Sequence, residues 1–190
     1  CGGSSSFSID LTRSVKPGQT HNLVVFVIDD IRSGAQAVGK QSPQVSSFAC
    51  FYTRVTGIWQ TVWLEAVSPY GLKAVETRPD IDGEQLFITP EFYQSSNDKT
   101  MEIILSDGNR QVAQKTVKCI NGSNLVIPIK KMKLWSPEDP FLYDITYRIK
   151  DEKGKVIDEV KSYTGMRKVH TSNGMIYLNN EPYFQRLVLN

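Results

Sequence analysis

Apolar and polar residues alternate at a period of two along most of this chain, the spacing of half-buried β-strands and not of helices. Phe7, Ile9 and Leu11 alternate with Ser8, Asp10 and Thr12, which predicts a first strand. Beyond the turn residues Lys16-Pro17-Gly18-Gln19 comes the run Leu23-Val24-Val25-Phe26-Val27-Ile28. It is unbroken, rich in β-branched residues and bounded by turns, so it predicts a strand buried on both faces. Residues 29–57 carry much Gly, Ser and Gln and no sustained period, and a loop of that length inside a compact domain is usually functional or a sign of a wrong assignment. Thr61 to Val67 predicts another strand, ending at Ser68-Pro69-Tyr70-Gly71.

A regular strand-and-turn rhythm follows. Leu72–Thr77, Gln85–Phe92, Thr100–Leu105, Gln111–Cys119, Leu125–Ile129, Phe141–Ile149 and Val156–Tyr163 are seven candidate strands. Asp107-Gly108-Asn109 and Asp151-Glu152-Lys153-Gly154 are hairpin-type connections. Tyr143, Ile145, Tyr147 and Ile149 make one apolar face opposite Asp144, Thr146, Arg148 and Lys150. Short strands with turns at this spacing predict an immunoglobulin-like sandwich. Pro128 within a strand pattern requires an edge strand or a bulge. No window shows a helical stripe, so very little helix is expected. In the tail, Met175–Leu178, Asn179-Asn180 and Glu181–Phe184 predict a tight hairpin, since Asn tolerates the left-handed backbone such turns need. Gln185 to Asn190 predicts the start of a further strand.

Composition narrows the function classes. The chain has 190 residues, 40% hydrophobic and 22% charged, with 22 Lys and Arg against 20 Asp and Glu, a net charge of +2. Neither a large basic excess nor a basic stripe is present, so no nucleic-acid partner is expected. The longest apolar run, Leu23 to Ile28, is far too short to span a bilayer, so no membrane partner is expected. No charged and then apolar leader precedes the fold. Cys1 followed by Gly2-Gly3-Ser4-Ser5-Ser6 reads either as a lipoprotein-like start or as the point where a fragment begins. Cys1, Cys50 and Cys119 are odd in number and widely spaced, which predicts buried free thiols and neither a disulfide framework nor a metal site.

Few residues suggest chemistry directly. His21 and His170 are far apart at strand boundaries, outside any metal or triad spacing, and read as surface or turn residues. Gly34 and Gly39 do not make a phosphate-cradling loop. Asp29 and Asp30, adjacent in sequence, point to opposite faces and should not share a site. Asn121-Gly122-Ser123 matches a glycosylation sequon but reads as a turn. No cofactor is implied. The aromatic residues are more telling: Phe48, Phe51, Tyr52, Trp59 and Trp63 crowd the end of the long loop. They fit either a sugar-stacking surface, with Arg54, Gln60 or Gln41 to meet hydroxyls, or, for Trp59 and Trp63, the core face of a strand.

Taken together, several segments resemble glycoside hydrolase family 2, which includes β-galactosidases, β-glucuronidases and β-mannosidases. Tyr52-Thr53-Arg54-Val55-Thr56-Gly57-Ile58-Trp59-Gln60-Thr61-Val62-Trp63-Leu64 resembles the signature closing that family's sugar-binding jelly roll. Gly2-Gly3-Ser4-Ser5-Ser6-Phe7-Ser8-Ile9-Asp10-Leu11-Thr12 is similar to a segment midway through the same domain. Leu134-Trp135-Ser136-Pro137-Glu138-Asp139-Pro140-Phe141-Leu142-Tyr143 is similar to the "L-W-S-P-E-x-P-x-L-Y" motif of the second, immunoglobulin-like domain. Gly165-Met166-Arg167 resembles its closing "G-x-R", and Ile176 to Val188 the hairpin that enters the catalytic barrel. Physically, Ser136-Pro137 and Asp139-Pro140 fix φ twice in a short crossing, and Gly57 stands where a bulky loop must turn.

The resemblance implies an all-β fold in three parts: residues 1–68 as the C-terminal part of the jelly roll, 69–168 as the immunoglobulin-like sandwich, and 169–190 as the entry hairpin of a (β/α)₈ barrel. It makes Cys1 an interior point of a longer protein. The family hydrolyses β-glycosides with retention, using two barrel glutamates. None of the glutamates in this chain stands in a matching motif, so the chain alone should be inactive, with catalytic residues none. What the resemblance leaves it is accessory work: packing on the barrel of the same protein, and shaping the carbohydrate subsite through the loop of Phe51, Tyr52 and Arg54. Several family members carry an acid where this chain has Phe51, so the sugar is not implied; Asn180 replaces the usual hairpin Gly, and Leu187 the Gly after Arg186. The alternative is a stand-alone β-sandwich that binds carbohydrate or serves as a scaffold. A jelly roll lacking strands would expose edges and apolar faces, which predicts either self-association as a homo-oligomer or a disordered Asp29 to Gly57 loop.

Overall fold

A computed structural model describes residues 5–187. It is all-β: ten strands and, among the described residues, no helix. The chain divides into two compact units, Cys1–Leu64 and Glu65–Asn190.

The second unit holds every strand. These are β1 (Leu72–Asp80), β2 (Gln85–Phe92), β3 (Ser96–Asp107), β4 (Arg110–Cys119), β5 (Leu125–Pro128), β6 (Tyr143–Lys150), β7 (Val156–Thr164), β8 (Val169–Ser172), β9 (Met175–Leu178) and β10 (Glu181–Pro182). One sheet runs β1-β2-β5 and another β4-β3-β6-β7, all pairs antiparallel. The seven strands read from the periodicity are all present. Two layers enclose one core because each central strand alternates. Leu86, Ile88 and Phe92 of β2 and Met101, Ile103 and Leu105 of β3 are buried together with Tyr143, Ile145, Tyr147 and Ile149 of β6. Register carries this across the sheet, with Met101 opposite Ile149, Ile103 opposite Tyr147 and Leu105 opposite Ile145.

The outer face of the same strands is a charge ladder. Glu102 lies opposite Arg148, and Arg148 opposite Glu159, whose carboxylate accepts from Arg148 Nε at 2.7 Å. Lys150 Nζ reaches Glu102 at 2.8 Å, and Gln114 donates to the same carboxylate at 2.8 Å. Pro128 ends β5, which is an edge strand, so its missing N–H breaks no ladder. The Asn121-Gly122-Ser123 stretch is a turn, and Asn121 Oδ1 accepts the amide of Phe92 at 2.6 Å.

The first unit departs from expectation. Neither 7–12, 23–28 nor 61–67 forms a strand. Residues 22–28 make no backbone–backbone hydrogen bond among the described residues, and Val24 is 87% and Phe26 85% exposed. The run expected to be buried on both faces is buried on neither. Trp59 and Trp63 are also exposed, against the core-face reading of the two. Alternation selects which side chains share a face, but a ladder needs a partner strand for every N–H and C=O. No described segment supplies one here. What order exists is local: Thr12 N donates to Asp10 Oδ1 at 2.8 Å, and the Thr12 hydroxyl first, then this amide, hold that carboxyl below its usual range. Gly57 stands at φ +141°, a conformation that L side chains rarely adopt, at the loop exit where the sequence placed it.

The tail hairpin is present as β9 and β10, with Asn179 and Asn180 in the left-handed region at φ 54° and 70°. A third, small sheet β10-β9-β8 includes β8, which the periodicity did not single out because only four residues pair. Residues 185–187 are not a strand, and 188–190 lie outside the described residues, as do Cys1 and the Gly2-Gly3 pair.

Candidate functional site

In the first unit, the long loop folds back on itself. Tyr52 N donates to Lys40 O and Ser42 N to Tyr52 O, each at 2.7 Å, and Phe48 and Phe51 exchange backbone bonds. Ser42 is fully buried under this closure, its hydroxyl donating to Ser46 O at 2.8 Å. The three residues singled out from sequence then differ in what they offer. Phe51 is half-buried and stacks on Phe48, ring centroids 5.1 Å apart, so one of its faces is covered. Tyr52 is 65% exposed. Arg54 is exposed and makes no ion pair among the described residues. Gln41 is engaged, its side-chain carbonyl accepting the amide of Val55 at 3.1 Å. Asp29 and Asp30 face different partners, Asp29 with Gln36 and Thr56 and Asp30 with the amides of Arg32 and Ser33.

In the second unit, three sequence motifs that are far apart along the chain meet at one junction. Trp135 N donates to Met166 O at 2.9 Å, and the Arg167 guanidinium lies over the Trp135 ring, 4.6 Å from its centroid. Gly165 makes the approach feasible: a Cβ there would stand 3.2 Å from Trp135 Cβ and 3.3 Å from Leu142 Cδ2. The Ser136–Pro140 crossing is closed by Ser136 N donating to Asp139 O and Asp139 N to Ser136 Oγ. Lys133 N donates to the Tyr143 hydroxyl at 2.7 Å, which fixes the other end.

The hairpin joins the same junction through polar groups. Asn179 Nδ2 donates to Trp135 O at 2.9 Å, while Asn179 Oδ1 accepts from Lys168 N at 3.1 Å. Asn180 Nδ2 donates to Asp82 Oδ1 at 2.8 Å, and its Oδ1 accepts from Lys168 Nζ at 2.9 Å. Lys168 also pairs with Asp82, and these hydrogen bonds from Lys168 and Asn180 hold the Asp82 carboxyl below its usual range. Tyr183 donates to Glu138 at 3.1 Å. Asn180, a departure from the family's hairpin glycine, is thus a bridge between the hairpin and the β1–β2 turn.

Beside the junction lies a hollow of about 430 Å³, bordered by Thr77 and Pro79 of β1, Tyr163 and Thr164 of β7, and the Trp135–Arg167 pair. Sequence reasoning did not single out Tyr163 or Thr77, since only the folding of β1 beside β7 brings them together.

Of the histidines, His21 is exposed in a turn with Lys16, as expected. His170 is instead half-buried within β8, stacked on Tyr177 at 5.0 Å, with Nδ1 buried and unpartnered. The cysteines also divide: Cys119 is buried and its thiol pushed up to about 11 by desolvation, but Cys50 is exposed, against the expectation for buried thiols. Cys50 lies in the loop tip between Phe48 and Phe51, where no layer covers it. Among the described residues no group of His, Cys, Asp and Glu could hold a metal ion.

The class defined by this fold is an all-β protein with a sandwich whose cross-over, closing strand and exit hairpin are locked together at Trp135. The profile of Glycosyl hydrolases family 2 matches residues 72–167, and the chain belongs to that family. It is 25% identical over 201 residues to a β-galactosidase of Thermoanaerobacter pseudethanolicus, covering 95% of this chain and 24% of that protein. It is 20% identical to a β-glucuronidase of Paenibacillus borealis, covering 96% of this chain and 32% of that protein. A Ruminococcus gnavus β-glucuronidase structure in complex with D-glucuronic acid overlaps 58% of this chain and 18% of that one, with 23% identity and a TM-score of 0.48. The chain therefore spans a third or less of the length of these relatives.

Proposed function

We propose that this chain is a non-catalytic, accessory portion of a family 2 glycoside hydrolase acting on β-glycosides. In this reading residues 1–68 belong to a sugar-binding jelly roll, 69–168 form the immunoglobulin-like domain and 169–190 lead into a catalytic barrel. The observation that carries it is the junction at Trp135, where Asn179, Lys168 and Asp82 fix the exit hairpin to the sandwich. A hairpin tied at so many points sets the direction of whatever follows it, as a rigid frame for an active site requires. The loop of Phe51, Tyr52 and Arg54 contributes to the sugar subsite, with Tyr52 as its uncovered ring and Arg54 as its unpaired donor.

The test is to assay the 190-residue chain and the longer protein encoded with it on nitrophenyl β-galactoside and β-glucuronide. Turnover is expected from the longer protein and none from the chain, with Tyr52→Ala in the longer protein raising KM. Hydrolysis by the 190-residue chain itself, or a reading frame that stops at Asn190, overturns the proposal.

A further inference from the structure

The sequence holds two Asn-Gly pairs, Asn121-Gly122 and Asn173-Gly174. Such a pair carries a reaction of its own. The backbone nitrogen of the glycine can attack Cγ of the asparagine side chain, because the attacking residue has no Cβ to hinder it. The new N–Cγ bond closes a five-membered succinimide, the Cγ–Nδ2 bond breaks, and ammonia leaves with the amide proton. Water then opens the ring at one of two bonds. Breaking the bond to Cγ gives aspartate; breaking the bond to the main-chain carbonyl gives isoaspartate, with one extra carbon in the backbone. Solvent water is the only co-reactant.

In several respects the two pairs are equivalent. Both lie in turns, and all four residues are exposed. Both glycines stand at φ 72°, and no atom lies within 4 Å of where a Cβ would be on either. What separates them is tethering. At the first pair every reacting group is held: Asn121 Oδ1 accepts Phe92 N at 2.6 Å, its Nδ2 donates to Phe92 O at 3.2 Å, and Gly122 N donates to Pro90 O at 3.4 Å. Attack there requires these bonds to β2 to break together. The second pair is the two-residue turn between β8 and β9, with Asn173 at φ 49° and Ser172 opposite Met175. Among the described residues no hydrogen bond holds the Asn173 side chain or the Gly174 amide. Reach and orientation decide the rate of a reaction between neighbouring groups, and only the second pair can seek that geometry without losing a contact.

We propose that Asn173 is a site of spontaneous deamidation in the folded protein, and that the same dipeptide at Asn121 is protected by its bonds to Phe92 and Pro90. The isoaspartyl product lengthens a turn whose two residues set the β8–β9 register, so the turn end of that hairpin loosens. The argument rests on the two turns alone and not on the family reading.

The 190-residue chain is kept folded in mildly alkaline buffer, sampled over days and mapped by mass spectrometry after proteolysis, with isoaspartate read by isoaspartyl methyltransferase labelling. The peptide holding Asn173 should gain the mass difference between an amide and a carboxyl group. Asn121 should convert at least about tenfold more slowly, the factor that its hydrogen bonds supply. In urea, where neither turn persists, the two rates should become comparable. Asn173→Ser should abolish the fast conversion and leave the slow one. The isoaspartyl form, separated from the parent by chromatography, should exchange its Met175 amide faster. Equal rates in the folded chain, a faster Asn121, or an Asn173 that reacts only in urea would overturn the assignment. Unchanged exchange at Met175 would overturn the consequence for the hairpin.

Discussion

The Arg167 guanidinium carbon, brought to Trp135 from the opposite end of the sandwich's final third, lies over the indole at 4.6 Å while the carbonyl of Met166 takes the tryptophan's own amide. Side-chain stacking and backbone bonding thus act on one residue from one short segment, and the segment can approach only because it begins with a glycine.

Gly165→Ala tests that approach. The added carbon would press on Trp135 Cβ at 3.2 Å, which is tied to the backbone and cannot swing away, and on Leu142 Cδ2 at 3.3 Å, a side-chain end that can give. Overpacking of this kind costs about 1–3 kcal/mol. Urea unfolding followed by near-UV signal should show a lowered midpoint with an unchanged slope; an unaltered midpoint would mean that the junction yields freely.

The hairpin turn makes two different demands at adjacent asparagines. Asn179→Ala removes both bonds to the junction and leaves a Cβ residue at φ 54°, so a loss of about 2–3 kcal/mol is expected. Asn180→Gly removes the bonds to Asp82 and Lys168 but relieves the backbone at φ 70°, and the two effects should nearly cancel, within about 1 kcal/mol. Hydrogen exchange of the β9 amides ranks the two variants, and equal effects would contradict the distinction.

Acid should weaken the charge ladder. Lys150 donating to Glu102, with Gln114 and Arg148 beside it, holds the Glu102 carboxyl below its usual range despite partial desolvation. A depressed folded value means the stabilisation is complete above the unfolded carboxylate value of about 4.3 and is lost as pH falls through the folded value. Glu102→Gln should therefore lower stability at pH 7 and flatten its decline below pH ~4. A parallel acid limb in both proteins, measured by thermal unfolding from pH 7 to 2, would count against it.

Tyr147 is 1% exposed, its hydroxyl has no partner among the described residues, and desolvation pushes its pKa well above the usual phenol value. Removing an unpaired buried hydroxyl should be neutral or stabilising by about 1 kcal/mol. Tyr147→Phe is expected to hold or raise Tm. A clear loss would show that the hydroxyl is bonded, for instance to an internal water.

The unpaired run Leu23 to Ile28 should seek strands elsewhere. Its residues carry no charge, several are β-branched, and Phe26 is almost fully exposed. Sedimentation of the 190-residue chain should reveal concentration-dependent association, and Phe26→Lys should suppress it. A single monomeric species over a hundredfold range of concentration would refute this.

The sequence by itself determined the sandwich, because in β2, β3 and β6 alternation, turn chemistry and register all select the same inward face. Its resemblance to the family marked Trp135, Gly165 and Arg167 as motif residues, and a constraint local to the chain marked Gly57 as a forced turn. Only the tertiary structure decided whether a predicted strand has a partner: Leu23 to Ile28 has the composition of a buried strand and no described neighbour to bury it. Only the fold, too, could place Tyr163 and Thr77 on one hollow or give Asn180 a bond to Asp82. Periodicity reports which face a residue shares; contact between distant segments depends on which edges come together, and that information is not carried by any local window of the chain.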